Sequence, residues 1–134
     1  MQKRRKILIV DDVEINRNIL QELCPKEYDT LTATNGMEAL PIIESNLDDL
    51  ALVLLDVVMP VMDGFETLSQ MREKGFLGKV PVIALTAGDL NHQDVNIIDF
   101  GADDVIQKPF NDSIIIRRAL NVLYAFEYKK EHNL

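Results

Sequence analysis

Ala51–Leu55 is an unbroken apolar run that stops at a carboxylate, Asp56. A short run of this kind reads as a strand buried on both faces, because an amphipathic helix would show polar positions every third or fourth residue. The chain then breaks at Pro60 and Gly64. Asp56 therefore falls at the C-terminal edge of the strand, beside a loop. In an open parallel sheet that edge is where ligands bind. A turn or helix-capping aspartate fits this stretch equally well by itself, and the rest of the chain has to decide.

The same pattern recurs along the chain. Ile7–Val10 is a second short apolar run, closed by Asp11 and Asp12. Helical spacing follows over Glu14–Leu23, with Ile15, Ile19, Leu20 and Leu23 expected inward and Pro25 as the stop. Tyr28–Ala33 reads as a strand. Asn35–Gly36 opens a helix through Met37, Leu40, Ile43 and Glu44, in which Pro41 removes a donor and should kink the helix or confine it to a short, irregular piece. After the central strand, Asp63–Gly64 opens a helix carrying Phe65, Leu68 and Met71, ended by Gly75. Val80–Leu85 is a strand ending at Thr86, with Pro81 tolerated at its start. Asp89–Phe100 is a weak helix with Leu90, Val95, Ile98 and Ile97 expected inward and Gly101 as its end. Asp104–Gln107 is a short strand closed by Lys108–Pro109. Asn111 caps a last helix with Ile115, Ala119, Val122, Leu123 and Phe126 on one stripe. Ile114, Ile116, Leu120 and Tyr124 widen that stripe beyond what one sheet face needs.

Five strand–helix repeats with short connections imply an α/β fold, a doubly wound five-stranded parallel sheet with helices on both faces. Such a sheet has a switch point where the first and third strands lie side by side. Asp11, Asp12 and Asp56 would meet there, with Thr86 and Lys108 on the next strand ends. Acids at strand ends can be merely solvated, but three carboxylates in one mouth repel each other and stay ionised together only around a cation. Mg²⁺ suits them as a hard ion with octahedral oxygen ligands, and Mn²⁺ accepts the same set. An ammonium and a hydroxyl beside them fit phosphate. A carboxylate can itself be the nucleophile in phosphoryl transfer, and Asp56 is the candidate.

Composition narrows the classes. The 134 residues suit one domain, and 47% hydrophobic content is enough for one core. A net charge of −8 argues against direct nucleic-acid binding by this domain. The single cysteine, Cys24, allows no internal disulfide and fits a buried small apolar role. The basic opening Met1–Lys6 precedes an apolar run far too short for a signal peptide or a membrane span, so no membrane association and a cytoplasmic location are expected. His92 and His132 are lone histidines, expected to be exposed.

The set Asp11–Asp12, Asp56 with Met59–Pro60 and Asp63–Gly64, Thr86–Ala87, and Gly101–Asp104 leading into Lys108–Pro109–Phe110 resembles the receiver domain of two-component response regulators. The resemblance runs from about Ile7 to about Phe126. It implies a flavodoxin-like strand order 2-1-3-4-5 and a single receiver domain over 1–134, core about 7–126. Residues 127–134 would be a helical extension or the start of a linker to an output domain, such as a nucleotide cyclase, a phosphodiesterase or a DNA-binding module. It implies that Asp56 accepts a phosphoryl group from a phosphohistidine, carried by a sensor histidine kinase or a histidine phosphotransfer protein. Asp12 and Asp56 would ligate Mg²⁺ with the Val58 backbone carbonyl, and Asp11 partly through water. Thr86 would turn toward the phosphoryl oxygens, Lys108 would pair with one, and the Lys108–Pro109 bond would be cis. Thr86, Val105 and Pro109 would form the switch, coupled to the fourth helix, fifth strand and fifth helix, where partners or a second copy would dock as a homodimer. No enzyme activity is implied beyond Mg²⁺-dependent self-phosphorylation and self-dephosphorylation.

Three residues depart from the family pattern. Val105 stands where an aromatic residue is usual, so switching should run through Thr86 and loop movement alone, or be weaker. Val58 and Gly88 stand where the family tunes hydrolysis, and neither holds an attacking water, so self-dephosphorylation should be slow. Pro41 disturbs the second helix. A receiver-like docking module that is never phosphorylated would commonly lose an acid or the lysine, and this chain keeps the full set. A haloacid dehalogenase-type phosphatase wants a second aspartate at position 58. A nucleotide-binding flavodoxin-like protein wants a glycine-rich phosphate loop after the first strand, where Asp11–Asp12–Val13–Glu14 stand instead.

Overall fold

The computed structural model describes residues 5–87 and 92–132, residues 92–95 by their backbone alone. Five parallel strands, β1 Lys6–Val10, β2 Asp29–Ala33, β3 Leu50–Asp56, β4 Val82–Thr86 and β5 Asp104–Gln107, form one sheet in the order β2-β1-β3-β4-β5. The helices between them are α1 Glu14–Leu23, α2 Gly36–Asn46, α3 Gly64–Glu73, α4 His92–Asp99 and α5 Asp112–Glu131. This is the expected doubly wound, flavodoxin-like architecture.

Every residue of β3 is buried, as a central strand covered on both faces requires. Successive side chains point to opposite faces, and two cores result. Leu8, Val10, Val53, Leu55, Val82 and Ala84 share one face with Ala39 and Ile43 of α2, Leu68 and Met71 of α3, and Ile97 of α4. Ile7, Ile9, Leu52, Leu54, Ile83 and Leu85 share the other with Leu20 of α1 and with Ile115, Ala119 and Leu123 of α5. Each fully buried aliphatic side chain contributes about 1.5–3 kcal/mol, so the sheet centre is a rigid platform for whatever its C-terminal edge carries.

Several side chains differ from expectation. On α1 only Leu20 is buried, whereas Ile15 is 64% and Ile19 40% exposed. The inward stripe runs instead through half-buried Asn16 and Arg17, Leu20 and half-buried Leu23. Ile15 and Ile19 lie one position, or about 100°, off that stripe. On α4 it is Ile97 that enters the core, while Ile98 is 45% exposed. Leu90 and the Val95 side chain lie outside the described residues. On α5 Ile114, Ile116 and Tyr124 are exposed, and Leu120, Val122 and Phe126 are half-buried.

Helix α2 runs through Pro41 from Gly36 to Asn46, with Asn35 as its N-cap. Pro41 and Met37 are both exposed, so the Met37 carbonyl, which loses its donor to the proline ring, is on a side open to water. Cys24 is half-buried, and burial pushes its thiol up to about 11. His132 is exposed, its ring stacked on Tyr128 at 4.0 Å and its Nδ1 2.9 Å from the Tyr128 carbonyl. The His92 side chain lies outside the described residues. No helix among the described residues is long and apolar enough to cross a membrane.

Candidate functional site

Strand register assembles the site. Val10 pairs with Leu55, so Asp11 follows β1 next to Asp56, the last residue of β3. Asp56 pairs with Leu85, and Thr86 pairs with Gln107, which puts Thr86 and Lys108 on the neighbouring strand ends. Asp11, Asp12 and Asp56 each offer a carboxylate oxygen, and these atoms lie within 4.8 Å of one another. Asp11 is fully buried, Asp56 is 3% exposed, and Asp12 faces solvent.

The Lys108 ammonium stands 3.2 Å from Asp56 Oδ1 and 3.4 Å from Asp11 Oδ2. Its backbone amide donates to the Thr86 carbonyl at 2.7 Å, which ties β5's exit to β4's. The Lys108–Pro109 bond is cis. Asp11 is pinned on both sides: its amide donates to the Ala33 carbonyl, and its Oδ1 accepts from the Val13 amide at 2.9 Å.

The loop after Asp56 is equally constrained. The Val57 amide donates to Leu85 and the Gly64 amide donates back to Val57 at 2.8 Å. A Cβ on Gly64 would come within 2.8 Å of the Asp56 carbonyl oxygen, so only glycine lets α3 begin this close to the acid. Val61 holds φ 71, a left-handed conformation strained for a β-branched residue. Asp63 caps α3 through the Glu66 amide, which makes it a fold residue and leaves it outside the carboxylate cluster.

Burial is the main cause that pushes the Asp56 carboxyl up to about 6. The Asp11 charge adds to it, and Lys108 and the Val58 amide pull against it. The Thr86 hydroxyl is buried with no hydrogen-bond partner among the described residues. A buried hydroxyl without a partner is expensive. Three hard oxygen donors, one of them uncomfortable as an anion, and a waiting hydroxyl are a set that suits a divalent cation and an oxyanion together. The carboxylates fit Mg²⁺ or Mn²⁺ by the chemistry of their donors.

The residues expected to switch are spread wider. Val105 is half-buried on β5, and its carbonyl accepts from Arg118 Nη1 at 2.7 Å. Arg118 Nε lies 3.7 Å from Asp104 Oδ2. Pro109 is exposed beside Lys108, and Gly88 lies outside the described residues. A groove of about 360 Å³ between α2 and α3, lined by Met37, Pro41, Met62 and Lys74 among others, contains none of the site residues. Sequence reasoning missed Arg17, whose Nη1 donates to the Asp11 carbonyl at 2.8 Å. Nothing in residue type or spacing distinguishes it from a solvated arginine.

A family model described as the response regulator receiver domain matches residues 7–120. The transcriptional regulatory protein CpxR homolog of Haemophilus influenzae is 38% identical over 117 residues, 87% of this chain and 49% of that protein. The alkaline phosphatase synthesis transcriptional regulatory protein PhoP of Bacillus subtilis is 38% identical over 120 residues, 89% of this chain and 48% of that protein. The chain thus spans about half the length of the curated relatives it matches. Among solved structures, the receiver domain of Francisella response regulator 1452 superposes with a TM-score of 0.80 at 28% identity, covering 90% of this chain and 98% of that one.

Proposed function

This chain belongs to the response regulator receiver domain family, and we propose that within it Asp56 is the residue that accepts the phosphoryl group. The donor would be the phosphohistidine of a sensor histidine kinase or a histidine phosphotransfer protein. An Asp56 carboxylate oxygen attacks phosphorus, the O–P bond forms and the N–P bond breaks. The imidazole leaves with the bonding pair and takes up a proton from solvent.

The observation that carries this reading is the convergence on Asp56 of two further carboxylates within 4.8 Å, an ammonium at 3.2 Å and a buried hydroxyl without a partner among the described residues. Asp12 and Asp56, with the Val58 carbonyl, would hold Mg²⁺ or Mn²⁺, and Asp11 would act partly through water. Bound there, the cation supplies charge neutralisation for the transferring phosphoryl oxygens. Lys108 takes one phosphoryl oxygen and leaves its pairing with Asp56. Thr86 turns its hydroxyl to another, which satisfies a group with no hydrogen-bond partner among the described residues.

That rotation, and the Lys108 amide held on the Thr86 carbonyl at 2.7 Å, would pass the change to β5 and on to the α4-β5-α5 face. Kinase, output domain or a second copy of the chain would read it there. With Val105 in place of an aromatic residue, Thr86 and loop movement carry the switch. The chain's own chemistry is limited to gaining and losing this phosphoryl group.

The test is an intact mass after incubation with Mg²⁺ and acetyl phosphate, with Asp56→Ala in parallel. One added phosphoryl group on the parent and none on the variant is expected. An adduct of equal size on Asp56→Ala would move the acceptor elsewhere. The absence of any adduct, and of beryllofluoride binding, would favour a docking module.

A further inference from the structure

We propose that Arg17 is a positioning residue for the cation site, acting through the peptide plane between Asp11 and Asp12. This rests on the reading of Asp12 and Asp56 as cation ligands. Arg17 is half-buried on the inner stripe of α1, and its Nη1 donates to the backbone carbonyl of Asp11 at 2.8 Å.

The Asp11 carbonyl and the Asp12 amide belong to one rigid plane. Fixing that carbonyl fixes the direction in which Asp12 leaves β1. The rest of the turn is fixed on either side of the plane, at the Asp11 amide on the Ala33 carbonyl and at the Val13 amide on Asp11 Oδ1. Asp12 itself is exposed, and no hydrogen bond or ion pair among the described residues holds its carboxylate. Its aim therefore comes from the backbone, and Arg17 is the side chain that grips that backbone. Arg17 also lies close enough to Glu38, at the first turn of α2, to exert a weak electrostatic pull on it, behind the stronger hydrogen bonds from Thr34.

Two effects of Arg17 on a bound cation have opposite signs. As a plain positive charge it repels a divalent ion, so removing it would tighten binding. As the holder of the Asp11–Asp12 plane it favours binding, so removing it weakens binding. Partners that orient ligands are typically worth 10–100-fold in metal affinity.

The experiment is calorimetric titration of Mg²⁺ into the wild type, Arg17→Gln and Arg17→Lys, with a metal-free thermal melt of each. Arg17→Gln should bind Mg²⁺ about tenfold more weakly, and Arg17→Lys, which keeps a charged donor, should recover most of that loss. Tighter binding by Arg17→Gln would overturn the proposal in favour of a charge effect. Unchanged affinity with a lowered melting temperature would overturn it in favour of a structural brace. A wild type that binds no Mg²⁺ would instead bring down the cation-site reading beneath it.

Discussion

The Lys108 ammonium and the Asp56 carboxylate face each other at 3.2 Å on adjacent ends of the sheet's C-terminal edge, with the lysine side chain 20% and the aspartate side chain 5% exposed. Asp11 shares the same ammonium at 3.4 Å, so one cation serves two buried acids. Removing it leaves both without that counter-charge, and uncompensated buried charge is what makes broken pairs costly. In chelator at pH 7, Lys108→Met should be less stable than the wild type by about 2 kcal/mol. Mg²⁺ should restore more stability to the variant than to the parent. Urea unfolding with and without Mg²⁺ measures both. Equal midpoints in chelator would mean that the pair adds nothing to the native state.

The protonation of Asp56 gives the metal-free protein a distinct pH profile. Its folded-state value of about 6 lies above the ordinary aspartate value of 3.8, so between these values the folded protein binds more protons than the unfolded chain. The Asp56 contribution is then fully present below about 4 and is lost as pH rises through about 6. Asp56→Asn should remove this loss and raise the stability of the metal-free protein at pH 7 by about 1–2 kcal/mol, once solvent screening is allowed for. Below pH 4 the two proteins should converge. A wild type whose chelator-treated stability rises between pH 4 and 7 relative to Asp56→Asn would contradict the direction.

The strand ends and the helix faces of this chain differ in how legible they are from sequence. Asp56, Thr86 and Lys108 could be placed because each ends or follows a strand, and a parallel sheet brings all such ends to one edge. Buried strands are legible because their pattern is continuous. Helices facing the sheet were harder. Ile15 and Ile19 match helical spacing as well as Leu20 and Leu23 do, yet α1 turns a stripe through Asn16, Arg17 and Leu20 to the protein. An apolar stripe through Ile15 and Ile19 competes with a mixed one on the same short helix, and only the tertiary contact chooses between them. The same ambiguity holds on α4, where Ile97 and Ile98 are both expected inward and only Ile97 is buried. Pro41 does not confine α2 to a short, irregular piece: a lost donor on a solvent-facing side leaves a carbonyl that water can satisfy, and the helix continues from Gly36 to Asn46. The Arg17–Asp11 contact was invisible for another reason: it joins a side chain to a backbone atom, and sequence carries no mark of which carbonyl an arginine will reach.

Val58 makes the last prediction, about how long the phosphoryl group stays. It follows Asp56 by two residues, its amide bonds the Asp56 carboxylate, and its side chain is 71% exposed at the mouth. Hydrolysis of an acyl phosphate needs a water held in line with the bond that breaks. An isopropyl group offers that water no hydrogen bond. The phosphorylated wild type should therefore outlast one in which position 58 can orient water. One such hydrogen bond is worth about 1 kcal/mol, so Val58→Asn should shorten the lifetime by roughly fivefold to tenfold. Val58→Ile, which likewise offers no hydrogen bond, should leave it nearly unchanged. The decay of the mass adduct after removal of acetyl phosphate measures all three. Identical decay in the asparagine variant, or a wild-type adduct that vanishes within seconds, would show that Val58 does not protect the acyl phosphate.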